Sequence, residues 1–133
     1  MKIQFTSVLK AALASGAIAA VLNLIYLFAY KAATGINAPV INTGSVTGAS
    51  IVPLLVAGVV FFFLAGKLKN GKTIYTVMAI VLGLLSLGGS FQSQLPDGSA
   101  APGGFALLTA PMHLIAAAAA AFGIPYFTNT FSK

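Results

Sequence analysis

Apolar and polar positions divide this chain into four long apolar runs separated by three polar breaks. The runs extend from about Val8 to Tyr30, Ala49 to Gly66, Thr73 to Ser93 and Gly104 to Tyr126. A helix rises about 1.5 Å per residue and a bilayer's hydrocarbon core is roughly 30 Å thick, so about 20 mostly apolar residues span it. Each run is of that order. None alternates as a barrel strand would, and backbone groups in lipid must be satisfied within their own segment, so all four are predicted helices. The breaks are the loop 31–48, the "KLKNGK" turn and "QLPDGSAAPGG", whose Pro and Gly cannot continue a helix. The expected fold is all-α: an integral membrane four-helix bundle, a single transmembrane domain over residues 1–133, with both termini cytoplasmic.

Composition strengthens that reading. Of 133 residues, 59% are hydrophobic and only 6% charged, where a soluble domain carries about 25% charged residues. So few charges cannot clothe a surface in water. The start of the chain (Lys2, then an apolar run with small residues near "ALASGA") has some look of a signal peptide. The apolar character continues to Tyr30, however, past a signal core of about 7 to 15 residues, so an uncleaved first helix is expected.

Charge adds an orientation. All seven basic residues are lysines and the only acid is Asp97. Lys2, Lys10, Lys67, Lys69, Lys72 and Lys133 fall on one side of the predicted bundle, Lys31 and Asp97 on the other. The positive-inside rule places the lysine-rich side in the cytoplasm. The lysines are scattered beside apolar runs, which fits membrane flanks and not a nucleic-acid surface. Tyr30 is expected at the outer boundary and Tyr75 and Tyr126 at the inner one. The "FFF" at 61–63 is expected to face lipid or to serve as packing bulk.

Helices in lipid approach closely through small residues. The first helix supplies Ala12, Gly16 and Ala20, with Asn23 on the same face. The third supplies Ala79, Gly83, Ser86, Ser90 and Ser93. The fourth supplies Ala106, Thr109 or Ala110, His113, Ala117, Ala120 and Gly123. Each stripe is close to 3.6-periodic and each carries polar residues. Counting the helical rise from the outer ends puts Asn23, Ser86, Ser90, Thr109 and His113 in the outer half of the bundle, where they can meet, so these five are the candidate ligand-binding residues. Pro111 is expected to kink the fourth helix and to free the Leu107 carbonyl, for which Thr109, His113 or a water would be the donor. Pro53 is placed in the first turn of the second helix, "GSVTGAS" (44–50) is read as a linker, and Ser50 as a helix cap.

The remaining chemistry is largely exclusion. One carboxylate rules out paired-acid catalysis, and with no cysteine there is no thiolate chemistry or disulfide framework. A single histidine makes a poor metal site and would ligate haem only with a second axial partner or an open position. No cofactor, no metal and no enzymatic activity are expected. Proton-coupled export of the small-multidrug-transporter kind needs a glutamate in the first helix, and this chain contains none. Its lysine bias and missing glycine–arginine signature separate it from dual-topology fluoride channels.

"AAVLNLIYLF" in the first helix, "LLSLGGSF" at the end of the third and "MHLIAAA" in the fourth resemble a family of small bacterial four-helix membrane proteins, a domain of unknown function. The resemblance covers most of the chain. It implies a bacterial inner-membrane protein, marks Asn23 and His113 as positions of interest, and supplies no activity. The resemblance leads one to expect a proline at Ser90–Phe91, where this sequence has none. Two functions stand side by side. Either the polar cluster binds a small ligand or lipid, or passes a small solute, or the chain is a structural or accessory subunit that docks on itself or on a larger membrane complex through its small-residue faces.

Overall fold

The computed structural model describes residues 3–133, so Lys2 lies outside the described residues. Helices α1 (Phe5–Thr34), α2 (Thr43–Lys67) and α3 (Gly71–Ser86) are followed by a 3-10 segment, Leu87–Phe91. The fourth span consists of α4 (Phe105–Ala118), a π segment (Ala119–Gly123) and α5 (Ile124–Phe131). Among the described residues, four helices are long and apolar enough to cross a membrane: Phe5–Thr34, Thr43–Lys67, Gly71–Phe91 and Phe105–Phe131. Among the described residues there is no strand, only an isolated bridge between Gln94 and Ala100.

Burial is inverted relative to a soluble bundle. The interior holds Ala11, Ala12, Ala19 and Ala20 together with polar side chains, among them Ser15, Asn23, Ser50 and Ser90. Large side chains such as Leu13, Ile18, Leu22, Ile25 and Phe28 point outward from the same helix. Lipid is as apolar as leucine, so nothing drives large side chains inward; contact is gained by letting backbones approach. At Gly16 the backbone of Ile51 comes so close that a Cβ would lie 3.2 Å from its Cα. A Cβ on Gly58 would meet the Ala12 side chain at 2.7 Å, and one on Gly83 would meet that of Ala117 at 2.3 Å. The "FFF" run divides: Phe61 is fully buried against Tyr75, with ring centroids 4.9 Å apart, whereas Phe63 faces out.

Hydrogen bonds tie the ends together. Ser7 donates to the Phe131 carbonyl at 3.0 Å, and Lys72 to Asn129 Oδ1 at 3.0 Å. The start of α1, the end of α5 and the α2–α3 turn therefore share one end of the bundle, here the terminal end. Tyr30 donates to the Gly104 carbonyl at 3.0 Å at the opposite, loop end. There Gly35 (φ 67) closes α1 by donating to Lys31, and Asp97 anchors a tight turn through the Ser99 amide and hydroxyl. Those two bonds hold the Asp97 carboxyl below its ordinary pKa.

Several local expectations need correction. The second helix begins at Thr43, because Asn42 and Ser45 form a reciprocal capping box. "GSVTGAS" is therefore helical, and Pro53 lies in the interior of α2 instead of its first turn. The carbonyl that Pro111 frees, that of Leu107, is satisfied by the Tyr26 hydroxyl of α1, not by Thr109 or His113. Tyr75 is only 1% exposed and is no boundary anchor. It donates to the Ala120 carbonyl at 2.9 Å.

That last bond explains a feature the sequence reading did not contain. In the π segment Ile124 donates to Ala119, five residues back. The next amide in that series would be residue 125, which is proline and has none. Ala120 is thereby orphaned, and Tyr75 supplies the missing donor, with Thr76 reaching Ala121 at 3.4 Å beside it.

Candidate functional site

Two apolar clusters fill the bundle. One, near the terminal end, contains Val8, Ala12, Leu54, Phe61, Tyr75 and Ile124. The other, near the loop end, contains Leu27, Ala38, Val46, Leu95, Phe105, Leu108 and Met112. Between them lies a polar layer. Asn23, 3% exposed, donates through Nδ2 to Ser50 Oγ at 3.0 Å and to the Met112 carbonyl at 3.5 Å, joining α1, α2 and α4. Its Oδ1 is buried and has no hydrogen-bond partner.

A recess of about 170 Å³ opens in this layer. Asn23 forms its wall on α1, Ser45, Val46, Ala49 and Ser50 on α2, and Thr109, Met112, His113 and Ala116 on α4, with Ile41 from the connecting loop. The recess exists because α2 and α4 both pack on α1 but scarcely touch one another. Near the terminal end α2 is held to α3, where Gly71 lies against Leu64 and Phe61 against Tyr75. Toward the loop end the 3-10 segment packs on α4 instead. Ala49, Val52 and Val56 of α2 and Leu82 and Leu85 of α3 are exposed. The recess is a cleft between α2 and α4 that reaches toward the loop end, where Ile41, Val46 and Met112 of the second cluster and Ser45 in the first turn of α2 line it. The first cluster lies between it and the terminal end.

The five residues singled out from the sequence divide among three environments. Asn23, Thr109 and His113 line the cleft. Ser86 does not line it, but its Oγ lies 3.0 Å from His113 Nδ1 while donating to the Gly83 carbonyl at 2.6 Å. Ser90, in the 3-10 segment, is buried with an unpartnered Oγ and stands apart from the cleft. Thr109 donates to its own helix, to the Phe105 carbonyl at 3.0 Å. The Asn23 partner that sequence reasoning missed is Ser50. The signal was present in Asn42 and Ser45, whose capping box extends α2 and carries Ser50 onto its buried face.

Depths also shift. α1 continues to Thr34, so Asn23 lies roughly 16 Å below the loop end of its helix, and His113 roughly 12 Å below the start of α4. Both lie within helices long and apolar enough to cross a membrane. No group of three or more His, Cys, Asp or Glu residues that could hold a metal occurs among the described residues.

No curated protein and no solved structure matches the chain. A family model does: it covers residues 3–129 and is described as a family of unknown function, and this four-helix chain belongs to that family, DUF6069.

Proposed function

We propose that the protein is a non-enzymatic component of the bacterial inner membrane that binds a small ligand or lipid head group in the α1–α2–α4 cleft. The observation that carries this reading is Asn23. An amide buried in an apolar bundle with an unpartnered Oδ1 costs free energy unless something donates to it. Polar groups at membrane depth are functional candidates by default. The volume of about 170 Å³ is below the roughly 300–1,000 Å³ of pockets for drug-sized ligands, so the fit is to a head group of a few heavy atoms. With lysines concentrated at the terminal end, that end faces the cytoplasm and the cleft lies toward the outer leaflet.

Photolabelling with diazirine-bearing alkyl amphiphiles in vesicles tests the reading. Saturable labelling of residues 45–50 and 109–116 is expected, lost in Asn23→Ala and His113→Ala while folded yield stays near wild type. Labelling that never saturates and spreads over exposed α3 positions such as Leu82 and Leu85 would overturn it. A loss of yield with unchanged labelling of the folded remainder would support the accessory-subunit role instead, in which Asn23 serves only to join three helices.

A further inference from the structure

The hydrogen-bonding capacity of the cleft is one-sided. Asn23 directs its Nδ2 protons to Ser50 and Met112, leaving Oδ1 as an acceptor. Thr109 gives its hydroxyl proton to Phe105, and Ser45 lies 2.8 Å from the Val40 carbonyl, to which it donates. Pro53 has no amide, so the carbonyl of Ala49, on the cleft wall, lacks its helical donor.

His113 follows the same rule. Ser86 has one proton, and the Gly83 carbonyl 2.6 Å away can only accept it. Ser86 Oγ is then an acceptor toward His113 Nδ1 at 3.0 Å, so Nδ1 carries the imidazole proton and Nε2 is bare. Among the side chains lining the cleft, the Ser50 hydroxyl alone keeps an uncommitted donor. No lysine and no carboxylate lines it.

A wall of acceptors without a cation disfavours an anion. A site with no carboxylate, in a chain of net charge +6, gives an organic cation no counter-charge. What remains is a neutral donor entering between α2 and α4. Resting on the ligand-cleft reading above, we infer that the cleft recognises an uncharged hydroxyl head group carried on an apolar chain. The hydroxyl donates its single proton to one of the acceptors that Asn23, Thr109 and His113 present and accepts from Ser50, while the chain remains between α2 and α3 among Val52, Val56 and Leu85.

The test uses the full chain in phosphatidylcholine nanodiscs with two probes: a diazirine-bearing 1-alkanol of about 12 carbons and its methyl ether. They share shape and apolar length, but only the alcohol donates. The alcohol should label residues 45–50 and 109–116 about fivefold or more above the ether, the scale of one net hydrogen bond. His113→Phe should reduce that ratio toward one, and His113→Gln, which restores an acceptor, should recover it in part. Competition with unlabelled 1-dodecanol and with dioctanoylglycerol identifies the source of the hydroxyl, and displacement by either supports the inference. Equal saturable labelling by alcohol and ether overturns the inference and leaves the ligand cleft standing. No saturable labelling by either probe overturns the cleft itself.

Discussion

Asn23 and Ser50, 27 residues apart on α1 and α2, are joined by a 3.0 Å hydrogen bond buried between two apolar clusters. The bond is the structural core of the polar layer, because the same amide group also reaches the Met112 carbonyl of α4. A double-mutant cycle over Asn23→Ala and Ser50→Ala, read by unfolding in mixed micelles, should give a coupling of about 0.6 kcal/mol and not more than about 2. A coupling indistinguishable from zero would contradict the assigned pairing.

The Tyr75 hydroxyl exists in this fold to serve a carbonyl that Pro125 leaves bare. Tyr75→Phe keeps the ring against Phe61 and removes only the donor, so it should destabilise by about 1 kcal/mol. Pro125→Ala restores an amide at position 125, and in that background Tyr75→Phe should be nearly neutral. Equal costs in both backgrounds would show that the hydroxyl acts elsewhere.

At Gly83 the backbone of α3 packs directly against Ala117 of α4. A Cβ there would sit 2.3 Å from that of Ala117, which forces the helices apart. Gly83→Ala should cost about 1–3 kcal/mol as an overpacking change. It should also loosen the Ser86–His113 contact one turn away. Ala117→Gly should recover much of the loss, and thermal unfolding in detergent measures both. Failure of the second change to rescue the first would place the strain at another contact.

Topology is open to direct measurement, because the chain contains no cysteine. Gln92→Cys at the loop end and Lys69→Cys at the terminal end each introduce a single exposed thiol. A membrane-impermeant maleimide should modify Gln92→Cys in intact spheroplasts and Lys69→Cys only after lysis. The reverse pattern would invert the proposed orientation and move the cleft to the inner leaflet.

Much of the architecture was legible in the residues. The Ala12, Gly16 and Ala20 stripe is buried against α2 as its spacing required, and Gly83 meets Ala117 where two predicted stripes face each other. The lysines of the described residues also segregate by bundle end as expected, since Lys72 bonds Asn129 beside the chain ends while Lys31 holds the Ile41 carbonyl at the other end. The site was legible only in part. Asn23, Thr109 and His113 do share one cleft, but Ser86 reaches it only through His113, Ser90 lies elsewhere, and Ser50 was mistaken for a cap.

The physical reason is register. Composition and apolar period are local properties, and in lipid they suffice to determine four helices, their small inward faces and their large outward ones. Which polar residues meet depends on how each helix is rotated and shifted against its neighbours. One residue of error turns a side chain by about 100° and moves it by about 1.5 Å. Here the capping box at Asn42, the backbone contact of Gly16 with Ile51 and the orphaned carbonyls behind Pro111 and Pro125 set that register. Only the tertiary structure shows that they place Ser50, not Ser86, beside Asn23 and leave the cleft open between α2 and α4.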